Sequence, residues 1–555
     1  GTLRSTESLL RHREVMTRLK YVLVLTFAIL GLVLAEERSK RQAIDSDTTV
    51  DEEAVDAFTR ELCASKGPQE YFRLSTQDCR KVIQCTEVGL ESLVCPPSLA
   101  FDLELQACNW RDQVKNCDKT VKDRKVAPLT STKDPLCEGG KLACGDGTCM
   151  NREIFCDGKP DCNDFSDENF CDINSDPNRA PFCDKSKCTL PTCFCINEPS
   201  DTPGNIHPDD IPQMIMITFD DAINNNNVDL YDHIFSNRQN PNGCDIKATF
   251  FVSHKYTNYT AVGELHRRGH EIAVHSISHN TTSSYWSEAS VPEWSREMSG
   301  SRAILNRFAN ITDTTVVGVR APYLRVGGNN QFRMMEEDQF LYDSTIVAPL
   351  AEVPLWPYML YYRMPHQCHG HIQVCPTRPF AIWEMVMNEM DRREDPAHEE
   401  PLPGCAMVDS CFSNKPNGDQ FYTFLTNNFN RHYTSNRAPM GLFFQSAFVK
   451  NNAEVLDALL FWIDEILATY TDVYFVTMTQ ILYWMQDIIP IQKINNFEPW
   501  KDKCAVQGEP YCYAGNNCQL QTQELPGETL RLASCMSCPN KFPWLLDPNG
   551  DGLLF

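Results

Sequence analysis

The chain is 555 residues long, carries a formal net charge of −24 and contains 26 cysteines. Such a length exceeds what one hydrophobic core supports and sets a prior of three or four domains. The acidic balance makes nucleic acid a poor partner, and this many cysteines in regularly spaced runs exclude a reducing cytosol in favour of an oxidising compartment.

Met16 is followed by a basic stretch (Arg18, Lys20), an apolar run from Tyr21 to Leu34, and Ala35 before two glutamates. The order basic, apolar, small predicts a secretory signal peptide over 16–35, cut after Ala35. A membrane anchor is the competing reading, but the run is short of the ~20 apolar residues that span a bilayer. Residues 1–15 read as a gene-model extension. Residues 36–60 read as a linker, in which Arg38-Ser39-Lys40-Arg41 fits either a dibasic processing site or a solvated connection.

Six cysteines then fall at 63, 79, 85, 95, 108 and 117. A segment of this size cannot hold itself together by apolar burial alone, so three bridges are the expected remedy. Tyr71, Phe72, Phe101 and Trp110 lie among them. In so small a core some rings stay exposed and offer flat apolar faces on which pyranose rings stack; the alternative is that all four are core. The cysteine spacing over 61–118 resembles the peritrophin-A type chitin-binding domain, which implies binding of N-acetylglucosamine polymers with those four rings as candidate contacts.

After a polar, proline-containing linker at 119–135, a second set of six cysteines runs from Cys137 to Cys171 and ends in CDGKPDCNDFSDENFC. So many carboxylates in a disulfide-tied loop repel one another unless a hard cation gathers them, and an all-oxygen set points to Ca²⁺. Residues 136–172 resemble the LDL-receptor class A module. That resemblance implies side-chain ligands at Asp157, Asp161, Asp167 and Glu168 and backbone carbonyls from Ile154 and Lys159. The two modules read as independent beads.

From about residue 183 short apolar runs alternate with helical stretches, predicting βα repeats and a mainly parallel sheet. Strands are predicted at 214–219, 248–252, 271–275, 315–319, 341–346, 441–445 and 473–478. Their C-terminal ends carry the polar residues, the end where barrels of this kind assemble active sites. The first run, QMIMITFDD, stops at Asp220 and Asp221, two carboxylates whose desolvation demands a compensating cation. The third run ends in HSISH, placing His275 and His279 four residues apart. Two imidazoles and one carboxylate form a facial set suited to Zn²⁺ with an open position for water. At the end of the fourth run, RAPY supplies Arg320, a guanidinium able to orient a carboxylate, and Tyr323, whose amide suits a developing oxyanion.

TFDD, HSISH and RAPY, in this order, are similar to the first three motifs of the polysaccharide deacetylase family, carbohydrate esterase family 4. With the modules in front, residues 61–495 resemble insect chitin deacetylases. The resemblance implies a multi-domain protein: an α/β, distorted (β/α) barrel deacetylase domain over 173–495, preceded by the two disulfide-rich modules and followed by a cysteine-containing extension at 496–555. It implies Asp221, His275 and His279 as ligands of zinc or another divalent transition metal, and Asp220 as general base, tethered by Arg320. It implies Tyr323 as oxyanion donor, Asp343 as acid-tuning carboxylate and Trp356 as pocket wall.

One departure stands out. The family's fifth motif supplies a general-acid histidine, and the matching position in GLFFQSAF is Gln445. An amide cannot deliver a proton, so an acid-catalysis factor of about 10² to 10⁴ is missing or comes from elsewhere. The proton could return from Asp220, or one of His366, His369 and His371 could serve; otherwise hydrolysis has been abandoned. The same three histidines could form a second metal site, against which Cys368 and Cys375 read as disulfide-bonded. Segment 363–440, with four cysteines, reads as a stapled excursion over the cleft. Asn258, Asn280 and Asn310 head glycosylation sequons, and a glycan on Asn280 would crowd His279. Two functions follow as expectations: a secreted, zinc-dependent chitin deacetylase of cuticle, tracheal or peritrophic matrix, attenuated at Gln445, or a non-catalytic organiser binding chitin and other matrix proteins, in either case without a membrane span in the mature chain.

Overall fold

The computed structural model describes residues 71–72, 79–86, 89–95, 99–103, 107–110, 114 and 117, then 137–168 apart from 138, 145–146 and 157–160, and 176–552 apart from 368–373, 394–403 and 507. The expected extension, leader and linkers at 1–15, 16–35, 36–60 and 119–135 lie outside the described residues, as do Asp157, Lys159, His369, His371 and the side chains of Tyr71, Phe72 and Trp110. The chain divides into two compact units, residues 1–135 and 136–555. No helix among the described residues is long and apolar enough to cross a membrane.

In the first unit, Tyr71–Phe72, Lys81–Thr86 and Gly89–Val94 form an antiparallel sheet, Leu99–Asp102 and Ala107–Trp110 form a hairpin, and Cys79 is bridged to Cys117. Phe101 is fully buried against Val82 and Cys95. This corrects its assignment as a sugar-stacking ring: with so little apolar mass available, the module uses Phe101 as core.

The second module opens the other unit, with bridges Cys137–Cys149 and Cys144–Cys162. It is not a free bead. The Arg378 guanidinium donates to the carbonyls of Glu153 and Phe155 while pairing with Asp176 at 3.4 Å, and Asn178 donates to the Arg152 carbonyl at 2.8 Å. Charge-assisted bonds from a planar fork to backbone carbonyls fix the module against the large domain; no signal in the cysteine spacing announces them.

The large domain is built on strands β1 (Gln213–Asp220), β2 (Thr249–Val252), β3 (Glu271–Val274), β4 (Gly318–Val319), β5 (Tyr342–Asp343), β6 (Tyr358–Met359), β7 (Trp383–Glu384), β8 (Met440–Gln445) and β9 (Val473–Phe475). They form one curled sheet in the order β6-β7-β5-β4-β3-β2-β1-β8, with β9 pairing the start of β1; all pairings are parallel except β6 with β7. Every residue of β1 is buried, as a strand covered on both faces requires. Helices α1 (Val228–Phe235), α2 (Tyr259–Arg267), α3 (Val291–Phe308), α4 (Gly328–Glu337), α5 (Gly418–Tyr433), α6 (Ala453–Thr469) and α7 (Met478–Gln486) provide crossovers and cover. Reciprocal capping boxes start three of them, at Ser290/Glu293, Asn417/Gln420 and Thr477/Gln480.

Segment 363–440 is only partly an excursion. Trp383–Glu384 enters the sheet beside β5, and α5 packs on α6. The cysteine staple is local: Cys405 is bridged to Cys411 around the short turn Val408–Ser410, which packs on β8. Residues beyond 496 are integral too. Cys504 is bridged to Cys244, Ser534 donates to the Phe308 carbonyl at the end of α3, and the His254 ring sits between Phe542 and Tyr259 with Nε2 bonded to the Pro543 carbonyl.

Candidate active site and metal centre

The C-terminal ends of β1, β3 and β4 lie along the same edge of the parallel sheet, with β2 between β1 and β3, and bring the motif residues together. Asp220 closes β1, and its Oδ1 accepts from the Arg320 guanidinium at 2.7 Å. Arg320 has no exposed surface. Its remaining donors reach Thr218 Oγ1, the Ser344 carbonyl and Ser344 Oγ, and its plane lies 4.0 Å from the Phe251 ring centroid. A buried guanidinium with every direction engaged can hold a carboxylate in one orientation, which a flexible ammonium cannot.

Asp221 turns the other way. Its φ of 81° takes the chain out of the strand, and its Oδ1 stands 3.4 Å from His279 Nε2 and 4.0 Å from His275 Nε2. All three ligand atoms lie within 4.8 Å of one another. Tetrahedral ligands at about 2.1 Å from an ion are about 3.4 Å apart, so the spacing suits one ion. The tautomer suits it as well. His275 Nδ1 faces the Arg320 carbonyl at 2.9 Å. A carbonyl only accepts, so the proton sits on Nδ1 and the Nε2 lone pair points at Asp221. His279 Nδ1 meets the Tyr323 hydroxyl at 3.2 Å. Burial first, then the neighbouring His275, pushes the His279 pKa down, which favours the neutral ligand form.

Left-handed backbone clusters here: Ser276 (φ 76°), His279 (φ 45°) and Tyr323 (φ 59°) join Asp221. Each such non-glycine residue costs about 1 kcal/mol or more, and local anchors hold them. Ile277 and Ser278 donate their amides to Glu297 of α3 at 3.0 and 2.9 Å, and the Ser278 hydroxyl also donates to it. Burial raises the Glu297 pKa, and those donors oppose the rise. The sequence signal for Glu297 is a glutamate among the buried residues of α3. The loop after β2 is clamped between both ligand loops, His254 N donating to Ser276 O and Asn258 N to Ile223 O, and it leaves Tyr256 68% exposed.

Three expected residues stand elsewhere. Trp356 has no exposed surface; it stacks on Trp484 at 5.7 Å and donates Nε1 to the Asn436 carbonyl, so it is core and not pocket wall. Asp343 is fully buried behind Arg320, accepting from Gln331 and from the amide and hydroxyl of Thr345, and sharing a hydrogen bond with Glu384. Burial pushes Asp343 up to about 6 and Glu384 well above the carboxylate range. The pair supports the Arg320 loop through Thr345, whose hydroxyl accepts from the Ala321 amide. His366, offered as a substitute acid, has Nε2 on the Tyr358 hydroxyl and Nδ1 on the Gln367 carbonyl.

Gln445 ends β8 directly across from Asp220, the two being register partners on adjacent parallel strands, and its side chain is exposed. The disulfide-closed turn Val408–Ser410, which carries Asp409, packs against β8, the strand that Gln445 ends. In the second module, Asp161 donates its amide to the buried Asp167 carboxylate at 2.7 Å, with Glu168 and Ile154 half-buried nearby.

Three family patterns match the chain. The polysaccharide deacetylase pattern matches residues 207–335, the chitin-binding peritrophin-A pattern 63–117 and the low-density lipoprotein receptor class A pattern 135–171. The chain is 57% identical over 540 residues to chitin deacetylase 1 of Bombyx mori, covering 96% of this chain and 99% of that one. It is 33% identical over 375 residues to chitin deacetylase 8 of the same species, covering 66% and 93%. Among solved structures, the chitin deacetylase of Colletotrichum lindemuthianum matches at 11% identity and TM-score 0.28, over 49% of this chain and 88% of that chain. The chain therefore belongs to the polysaccharide deacetylase family, among the insect chitin deacetylases that carry a peritrophin-A and an LDL-receptor class A module.

Proposed function

We propose that the protein is a secreted, metal-dependent chitin deacetylase that hydrolyses N-acetyl groups of N-acetylglucosamine residues, releasing acetate. The observation that carries this reading is the convergence of Asp221, His275 and His279 beside an Asp220 locked by Arg320. Asp221, His275 and His279 would hold a divalent ion such as Zn²⁺, which when bound would supply Lewis-acid activation of water and of the acetyl carbonyl. Asp220, held by Arg320 and adjacent in the chain to Asp221, takes the water's proton. The Tyr323 turn directs a backbone N–H toward the developing oxyanion. The peritrophin-A module raises the local concentration of enzyme on an insoluble polymer, and the many disulfides suit an extracellular matrix. Calcium in the class A module would use Asp161, Asp167, Glu168 and the Ile154 carbonyl together with Asp157 and Lys159.

The second reading, a chitin-binding organiser without turnover, is favoured by one observation, Gln445 at the acid position. The complete ligand set and the buried Asp220–Arg320 pair oppose it, since binding alone requires neither. Acetate release from a chitin oligomer by the zinc-loaded chain, compared with Asp220→Asn, separates them. Release that Asp220→Asn abolishes supports the enzyme; no release from the unaltered chain supports the organiser.

A further inference from the structure

We propose that the Tyr323 side chain is a positioning residue for the metal centre: its phenol oxygen orients His279, and its O–H, left free by that bond, holds a sugar oxygen of the substrate. The inference rests on the deacetylase reading above, which uses only the Tyr323 backbone N–H, and gives the side chain a role of its own.

The two ligand histidines are held in different ways. His275 Nδ1 meets the main-chain carbonyl of Arg320 at 2.9 Å, a buried and fixed acceptor. His279 Nδ1 instead meets the Tyr323 hydroxyl at 3.2 Å, with the two ring centroids 4.9 Å apart and the rings edge to face. On the other side of the same imidazole, Nε2 stands 3.4 Å from the Asp221 carboxylate, within the ligand set. An imidazole that keeps its Nε2 lone pair for an ion carries its proton on Nδ1, so the phenol oxygen is the acceptor. Accepting leaves the phenol hydrogen uncommitted. Among the described residues the Tyr323 hydroxyl has no hydrogen-bond partner besides His279.

The backbone makes this contact available. Tyr323 sits in the short turn Pro322–Leu324, directly after the Arg320 segment, with a left-handed φ of 59° that a bulky residue rarely takes. The turn is closed by Leu324 N donating to Ala321 O at 3.2 Å and Arg325 N to Pro322 O at 3.1 Å, and Ala321 N donates to the Thr345 hydroxyl at 2.9 Å. The phenol is therefore carried on an anchored turn rather than a loose loop.

Exposure separates the two sides of the ligand set. The His275 side chain is 4% exposed and that of His279 28%, while Tyr323 is 48% exposed. A ring that touches a ligand and still faces solvent stands on the border between metal centre and cleft, where a polymer bound over the ion lies. A hydroxyl there can accept from His279 and donate to a sugar oxygen at the same time, and hydrogen bonds chained in this way polarise one another.

The test compares the full chain with Tyr323→Phe, which keeps the ring and the backbone N–H and removes only the hydroxyl. Calorimetric titration of Zn²⁺ into the metal-free proteins is expected to show binding weakened about tenfold or more. The KM for a chitin oligomer is expected to rise about threefold to tenfold, as loss of one hydrogen bond requires. The melting temperature of the metal-free variant should match that of the unaltered chain, because His279 is open to water and no buried group is left unpaired. A spectroscopic signature separates positioning from general loosening. With Co²⁺ in place of zinc, the unaltered chain should show a hyperfine-shifted exchangeable N–H resonance from each ligand histidine, and Tyr323→Phe should lose that of His279 to solvent exchange while keeping that of His275. The proposal is overturned if Tyr323→Phe binds zinc within about twofold of the unaltered chain, or if its metal-free melting temperature falls in step with its zinc affinity. It falls together with the deacetylase reading if the unaltered chain binds no zinc. If zinc binds and Tyr323→Phe weakens it, yet the unaltered chain releases no acetate, the deacetylase reading fails while the positioning role of Tyr323 stands.

Discussion

Gln445 and Asp220 face each other across adjacent parallel strands, so an amide occupies the position from which a side chain could reach a leaving group opposite the base. With an amide where an acid could stand, Gln445→His is expected to raise oligomer turnover by about 10² to 10⁴. A site in which another group already delivers the proton would gain less than about tenfold. The rate of acetate release by the single variant distinguishes the two.

Arg320 is fully buried and pairs with an Asp220 that is itself almost wholly buried. Removing one partner of a buried pair leaves the other charge without compensation, at about 3–5 kcal/mol. Arg320→Leu is therefore expected to lower unfolding free energy by about that amount in urea titration and to abolish acetate release.

The Asp343–Glu384 pair makes stability depend on pH with an unusual sign. Both pKa values are raised in the folded state, Asp343 to about 6 and Glu384 well above 4.5. The folded chain then binds more protons than the unfolded one, so stability is full at acid pH and falls as pH rises from about 4 through 6 and beyond. Glu384→Gln keeps the shape without the ionisation. Its melting temperature should fall less steeply than that of the unaltered chain between pH 5 and 8, and an unchanged slope would show that the pair does not share a proton.

Trp356 tests whether a motif tryptophan is core or pocket. Fully buried and stacked on Trp484, it should cost about 3–5 kcal/mol when replaced by alanine. Any variant that remains folded should keep the KM for chitin oligomers within threefold. A raised KM with unchanged stability would restore the pocket-wall role.

The strand ends were legible because each motif follows an apolar run, and a buried strand leading into Asp-Asp or His-x-x-x-His needs a reason. What escaped was whatever depends on which way a side chain turns or on contacts far along the chain. Phe101 and Trp356 are aromatic in sequence whether they face solvent or core. Trp383–Glu384 is a strand of only two residues inside a segment that looked like an interruption, and it is held by pairing with β5. Asp409 lies 36 residues from Gln445, and only the folding of its disulfide-closed turn onto β8 makes them neighbours. Arg378 carries no motif at all, yet it fastens the second module.

The central claim is that Asp221, His275 and His279 grip one ion. Calorimetric titration of Zn²⁺ into the metal-free full chain, repeated with Asp221→Ala, His275→Ala and His279→Ala, tests it most directly. The account predicts one tight zinc per unaltered chain and its loss in each variant, with calcium uptake by the class A module unchanged. Zinc binding that survives the three substitutions, or that is absent from the unaltered chain, would contradict it.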